Sequence, residues 1–160
     1  AGTYNKVTIP AVFSGNSALS ALLSPTDESG KPRQEMALEK FHEYLRSSKA
    51  YLNPSLTIGD VGDKIGVPVH QLSKAINLSL KKNFYQCVNE LRIDEAKRML
   101  KDERLSGASI ISIGMDAGFN SKSTFNDVFK KIAGSTPSEY RQRDALPERQ
   151  ANNRQNHESG

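Results

Sequence analysis

The chain lacks most of what a disulfide-stapled, membrane-spanning or metal-dependent protein needs. It has one cysteine, Cys87, so no internal disulfide can form. Cys87 lies beside Val88 in a helical pattern with no partner for a nucleophile nearby. That reads as a small buried apolar side chain, compatible with a reducing compartment. No stretch approaches the ~20 consecutive apolar residues of a membrane-spanning helix. The longest candidate, AVFSGNSALSALL, is interrupted by Ser, Gly and Asn, and a soluble chain is expected. An initiating Met and a basic-then-apolar signal peptide are also missing, which leads us to expect a fragment or processed piece with further sequence before Ala1. His42, His70 and His157 fall on separate segments without metal-ligand spacing, and no glycine-rich phosphate loop follows a strand, since no convincing strand is present. His70 and Ser73 share a helix but have no oxyanion donors or third partner. No catalytic residue, metal or cofactor is expected.

What is present is ordinary in amount and uneven in placement. The 160 residues suit one domain, or two small ones sharing a connection, and are 36% apolar and 25% charged. A net charge of +4 and a pI near 9.2 favour an anionic partner such as nucleic acid. Residues 1–33 mix Gly and Pro with many Ser, Thr and Asn, and read as a flexible leader or linker. Residues 144–160, DALPERQANNRQNHESG, read as a disordered polar tail. The folded domain is expected over 34–143.

Within it, helical periodicity recurs. Ala37, Leu38, Phe41, Tyr44 and Leu45 mark a first helix over 34–48. After the turn Asn53-Pro54-Ser55, Thr57 is placed to cap a short helix, with Asp60 completing a capping box and Ile58, Val61 and Ile65 on one face. Gly66 ends it, and Pro68 begins another whose inward face is Leu72, Ala75 and Ile76. Short helix, glycine turn, second helix is a helix-turn-helix signature. From Asn83 the segment FYQCVNELRIDEAKRMLKDE spreads apolar residues over more than one stripe, as a helix buried on two sides would. Ile110, Ile113 and Ala117 mark the next helix, which ends in Gly118.

The two glycine turns align as a repeat. Ile58, Val61, Gly62, Ile65 and Gly66 stand against Ile110, Ile113, Gly114, Ala117 and Gly118. With one extra residue in the second turn, Leu72, Ala75 and Ile76 match Phe125, Val128 and Phe129. Two helix-turn-helix units joined by one long helix are therefore expected, each able to place its second helix in the major groove of DNA. Facing outward are His70, Gln71, Ser73, Lys74 and Asn77 in the first unit. In the second they are Lys122, Ser123, Asn126 and Asp127. These residue types suit base edges: Gln or Asn with adenine, Lys with guanine, Ser with either. Lys81, Lys82, Lys130, Lys131 and Arg141 suit phosphate. Asn120 or Ser121 can cap the second of these helices, with Phe119 packing back on it. In GSTPSEY, Thr136, Pro137 and Glu139 form a capping box that starts a last short helix carrying Tyr140.

Three segments, LRIDEAKRML, ISIGMDAGFNSKSTFNDVFKK and GSTPSEYR, make residues 36–143 resemble the DNA-binding domain of the AraC/XylS (arabinose-operon regulator) family of bacterial transcription factors. The resemblance implies an all-α, homeodomain-like domain of seven helices in two helix-turn-helix subdomains, bridged by a long helix over 84–102. It implies recognition helices in neighbouring major grooves, with His70, Ser73 and Lys74 facing bases on the first and Lys122, Ser123, Asn126 and Asp127 on the second. Asp127 departs from it, standing where the family commonly has a basic residue. It would be repelled by phosphate or would accept a bond from cytosine's amino group. Pro68 stands where a capping Ser is usual, and Pro suits a first helical position. Asn83 replaces a common Gly, and Asn tolerates left-handed geometry.

The expected partner is double-stranded promoter or operator DNA, with RNA polymerase or a second copy as further candidates. The expected location is the cytoplasm, at the nucleoid. YLNPSLTIGDVGDKIGV also looks like family members whose DNA-binding domain follows a membrane-embedded or other large sensory region, so a membrane-anchored protein's cytoplasmic domain is a second expectation. The rival function is an interaction module of such a regulator with DNA binding secondary. RNA is disfavoured because Phe125 and Phe129 lie on the inward stripe rather than being free to stack bases.

Overall fold

A computed structural model describes residues 32–143. The leader and tail expected over 1–33 and 144–160 fall almost wholly outside the described residues. Among the described residues seven helices follow one another: α1 (Arg33–Ser48), α2 (Ile58–Ile65), α3 (Val69–Leu80), α4 (Phe84–Lys101), α5 (Ile110–Asp116), α6 (Lys122–Ala133) and α7 (137–143). Short 3₁₀ turns occupy Ala50–Leu52 and Glu103–Leu105. The fold is all-α, and among the described residues no helix is long and apolar enough to cross a membrane.

Two cores divide the molecule. Phe41, Leu45, Val61, Leu72 and Ile76 fill the first, and Ile113, Ala117, Phe125 and Phe129 the second. The helix α4 serves both: Phe84, Cys87 and Val88 from its first half enter the first core, while Ile93, Ala96 and Leu100 enter the second. This is why its apolar positions do not form one stripe.

Local chemistry sets the helix ends. Thr57 accepts a bond from the Asp60 amide at 3.2 Å while Asp60 accepts from the Thr57 amide at 2.8 Å, the predicted capping box. Thr136 and Glu139 repeat it at 3.2 and 2.8 Å. Ser121 rather than Asn120 caps α6, accepting from the Thr124 amide at 3.1 Å. Phe119 packs on Phe125 with ring centroids 5.2 Å apart.

Two expectations need correction. Asn83 does not use left-handed geometry: at φ −92 and ψ 169 it is extended and forms a capping box with Gln86. The positive φ of this turn falls instead on Lys81, at 55. The side-chain oxygen that lets Asn tolerate unusual backbone geometry also caps helices, and here capping α4 prevails. Pro68 is the N-cap of α3 rather than its first residue, at φ −55 and ψ 138, and supplies no side-chain cap. Its carbonyl accepts from the amides of Gln71 and Leu72 at 2.9 and 3.0 Å.

The paired glycines do unequal work. Gly66 and Gly118 both have positive φ, 66 and 98, the conformation that only glycine adopts cheaply. Gly66 is exposed with open space where a side chain would be, whereas Gly118 is buried against the first subdomain.

Candidate nucleic-acid interface

The second helix of each unit is held by its apolar side and turns the rest of its surface outward. On α3, Leu72, Ala75 and Ile76 are buried, leaving His70, Lys74 and Asn77 exposed and Gln71 and Ser73 half-buried. On α6, Phe125 and Phe129 are buried, leaving Lys122, Ser123 and Asp127 exposed and Asn126 half-buried. All nine residues singled out as base-facing thus lie off the cores. Asn77 Nδ2 is 3.5 Å from Ser73 Oγ, a long contact that leaves both groups available.

The basic residues divide by how far the protein already engages them. Lys81, Lys130 and Lys131 are exposed. Lys82 Nζ lies 2.7 Å from Glu90 Oε1, and the bond to this carboxylate raises the lysine's pKa. Arg141 is half-buried: its Nη1 donates to the Ala108 carbonyl at 2.8 Å, and its Nε and Nη2 are enclosed without a protein partner. Lys82 and Lys131, one from each repeated lysine pair, line the same cleft of about 140 Å³ with Gln86 and Asn89 of α4.

Several residues beside this surface were not expected. Arg33 and Gln34, at the start of α1, line a cleft of about 250 Å³ with Gln71 and Lys74. Gln34 Nε2 donates to Ser79 Oγ at 2.9 Å, tying α1 to α3. Neither had a periodic signal, because each stands at the edge of the region read as leader. Arg92 was detectable. It falls on the i, i+4 series Phe84, Val88, Ala96, Leu100, and a charge on an apolar series marks a specific buried partner. It is 7% exposed.

Among the described residues no group of three or more His, Cys, Asp or Glu is placed to hold a metal. Cys87 is buried, and burial pushes its thiol pKa up, away from the reactive thiolate. His42 and His70 are exposed on different helices, while His157 lies outside the described residues.

Two helix-turn-helix units, each turning the polar side of its second helix outward, make this a helix-turn-helix domain of the DNA-binding class. A family model described as a helix-turn-helix domain matches residues 61–143, and the chain belongs to this family, of AraC/XylS type. Among curated proteins, it is 29% identical over 87 residues to the melibiose operon regulatory protein of Escherichia coli (strain K12), covering 54% of this chain and 28% of that protein. It is 27% identical over 113 residues to an uncharacterised HTH-type transcriptional regulator of Staphylococcus aureus (strain COL), covering 70% of this chain and 15% of that protein. The chain therefore spans under a third of these relatives' length. Among solved structures, an AraC-type DNA-binding transcriptional regulator from Chromobacterium violaceum matches with a TM-score of 0.60 and 26% identity, over 71% of this chain and 98% of that one. The C-terminal domain of AraT, a response regulator from Geobacillus stearothermophilus, shares the fold at a TM-score of 0.58 and 24% identity, over 69% of this chain and 87% of that one.

Proposed function

We propose that this domain reads double-stranded operator DNA with two recognition helices, α3 and α6, set in adjacent major-groove segments of one duplex face. The observation that carries this reading is the matched pair of outward polar faces. Each is backed by its own core and both are joined through α4, so one chain supplies what other helix-turn-helix proteins obtain by dimerising.

In this reading His70, Gln71, Ser73, Lys74 and Asn77 contact bases in one segment, and Lys122, Ser123, Asn126 and Asp127 in the next. Lys81, Lys82, Lys130, Lys131 and Arg141 hold phosphates, Lys82 and Arg141 less freely because the protein already engages them. The domain regulates transcription from such sites at the nucleoid. The regions of a full-length protein beyond this chain would supply sensing or assembly.

The test is a gel shift against fragments upstream of the protein's own and neighbouring genes, across a salt series. A sequence reader retains a preferred fragment as salt rises, and Lys74→Ala relaxes that preference as well as weakening binding. Equal binding to all fragments at every salt would sink this reading and favour an interaction module.

A further inference from the structure

The surface just described depends on how the two units are held, and one side chain touches both. Arg92, midway along α4, is buried. Its Nε donates to the Tyr51 carbonyl at 2.7 Å and its Nη2 to the Asn53 carbonyl at 2.8 Å. Both carbonyls belong to the segment between α1 and α2, in the first unit. The same guanidinium carbon lies 5.8 Å from the centre of the Phe119 ring, in the turn of the second unit. Gly118 seals the joint. A Cβ there would lie 2.6 Å from the Tyr51 oxygen, 3.0 Å from Arg92 Nε and 3.0 Å from Leu52 Cα.

This explains a charge where the helix pattern calls for an apolar residue. A buried guanidinium is costly unless its donors are satisfied. Here Nε and Nη2 are satisfied by backbone of one unit while the ring of the other covers the cation. An apolar side chain could fill the volume, but it could not bond two carbonyls in fixed directions.

We infer that Arg92 is a positioning residue: by clamping Tyr51 and Asn53 beneath Gly118 it fixes the separation and twist of the two recognition helices, and so sets the half-site spacing the protein accepts. The inference rests on the two-helix reading above. DNA turns once in about 10–10.5 base pairs, so one inserted pair rotates the second half-site by roughly 35°. A joint held at this close contact by two directed hydrogen bonds resists that rotation, whereas a loosened one can follow it.

Two measurements test it. In the first, operators with one base pair added or removed between the half-sites are titrated with wild type, Arg92→Met and Arg92→Lys. Wild type is expected to lose roughly tenfold or more in affinity, the scale of a lost base contact. Arg92→Met, with unchanged helical circular dichroism, is expected to lose no more than about threefold, and Arg92→Lys to fall between, since its ammonium lacks the planar fork. A folded Arg92→Met that keeps the wild-type spacing penalty overturns the inference.

The second needs no DNA. Spin labels at Asp63→Cys and Ser138→Cys, in a Cys87→Ala background, report the distance between units. A narrow distribution that broadens in both Arg92 variants is expected, and one that stays narrow overturns the inference. Wild type that protects a single major-groove segment would instead sink the two-helix reading, leaving the label distances to decide the joint. Should Arg92→Met fail to fold, Arg92→Lys carries both measurements.

Discussion

A Cβ on Gly114 would lie 2.5 Å from Cδ1 of Phe125, so the first helix of the second unit crosses the second helix at a distance only glycine permits. Phe125 cannot yield, because it is fully buried with the rings of Phe119 and Phe129 at 5.2 and 5.7 Å. In Gly114→Ala the gain in helix propensity is about 1 kcal/mol, whereas overpacking a filled core costs about 1–3 kcal/mol. A net loss is expected, read as a lower urea midpoint at unchanged slope. Gly59→Ala is the control: its nearest neighbour, Thr57 Oγ1, would be at an ordinary 3.5 Å, and its midpoint should not fall. A Gly114→Ala protein as stable as wild type would refute this packing argument.

The Lys82–Glu90 ion pair makes the four lysines at the helix ends unequal. Each phosphate neutralised changes the slope of log affinity against log salt by about 0.9. Lys81→Ala, which removes an exposed lysine, should reduce the slope by about that amount, and Lys82→Ala by clearly less. Glu90→Gln should free Lys82 and steepen the slope. Equal losses for Lys81→Ala and Lys82→Ala would mean that Glu90 gives way to DNA.

Asp127 is exposed on α6, on the face proposed to meet DNA. If it opposes phosphate, Asp127→Asn should tighten binding on most sequences. If it accepts from a cytosine amino group, preference should shift at one base pair, by about 1–3 kcal/mol. A competition assay over a randomised site separates the two, and an unchanged profile would place Asp127 away from DNA.

Acid should loosen the end of α4. The Arg104 guanidinium, through its hydrogen bonds to Asp102, holds that carboxyl down at about 2 from its ordinary 3.8. A carboxyl depressed in the folded state contributes stability that is fully present above its unfolded pKa, and it loses that stability as pH falls through its folded one. Between pH 4 and pH 2 the melting temperature of wild type should therefore drop more than that of Asp102→Asn. Parallel curves for the two proteins would disprove the linkage.

Much of this architecture is legible in the residues because its signals are local. Thr57 with Asp60 and Thr136 with Glu139 announce helix starts through bonds spanning three residues, and Gly66 and Gly118, like Gly134 at φ 72 after α6, mark ends by a positive φ that glycine adopts cheaply. Phe125 and Phe129, four apart, must share a face. The turn before α4 was misread because two local chemistries compete there. Asn83 can take left-handed geometry or cap a helix, and only the course of the backbone shows that Lys81 makes the bend.

The repeat, the two cores and the outward polar faces of α3 and α6 were determined by the sequence itself, since helical spacing assigns each side chain a face before any contact forms. Tertiary structure alone decided what joins distant positions. Arg92 meets Tyr51 and Asn53 across about 40 positions of chain, Gly118 approaches Leu52, and Arg33 comes beside Lys74. A spacing rule carries no information about which backbone carbonyl will face a buried cation, because that depends on how two complete units dock.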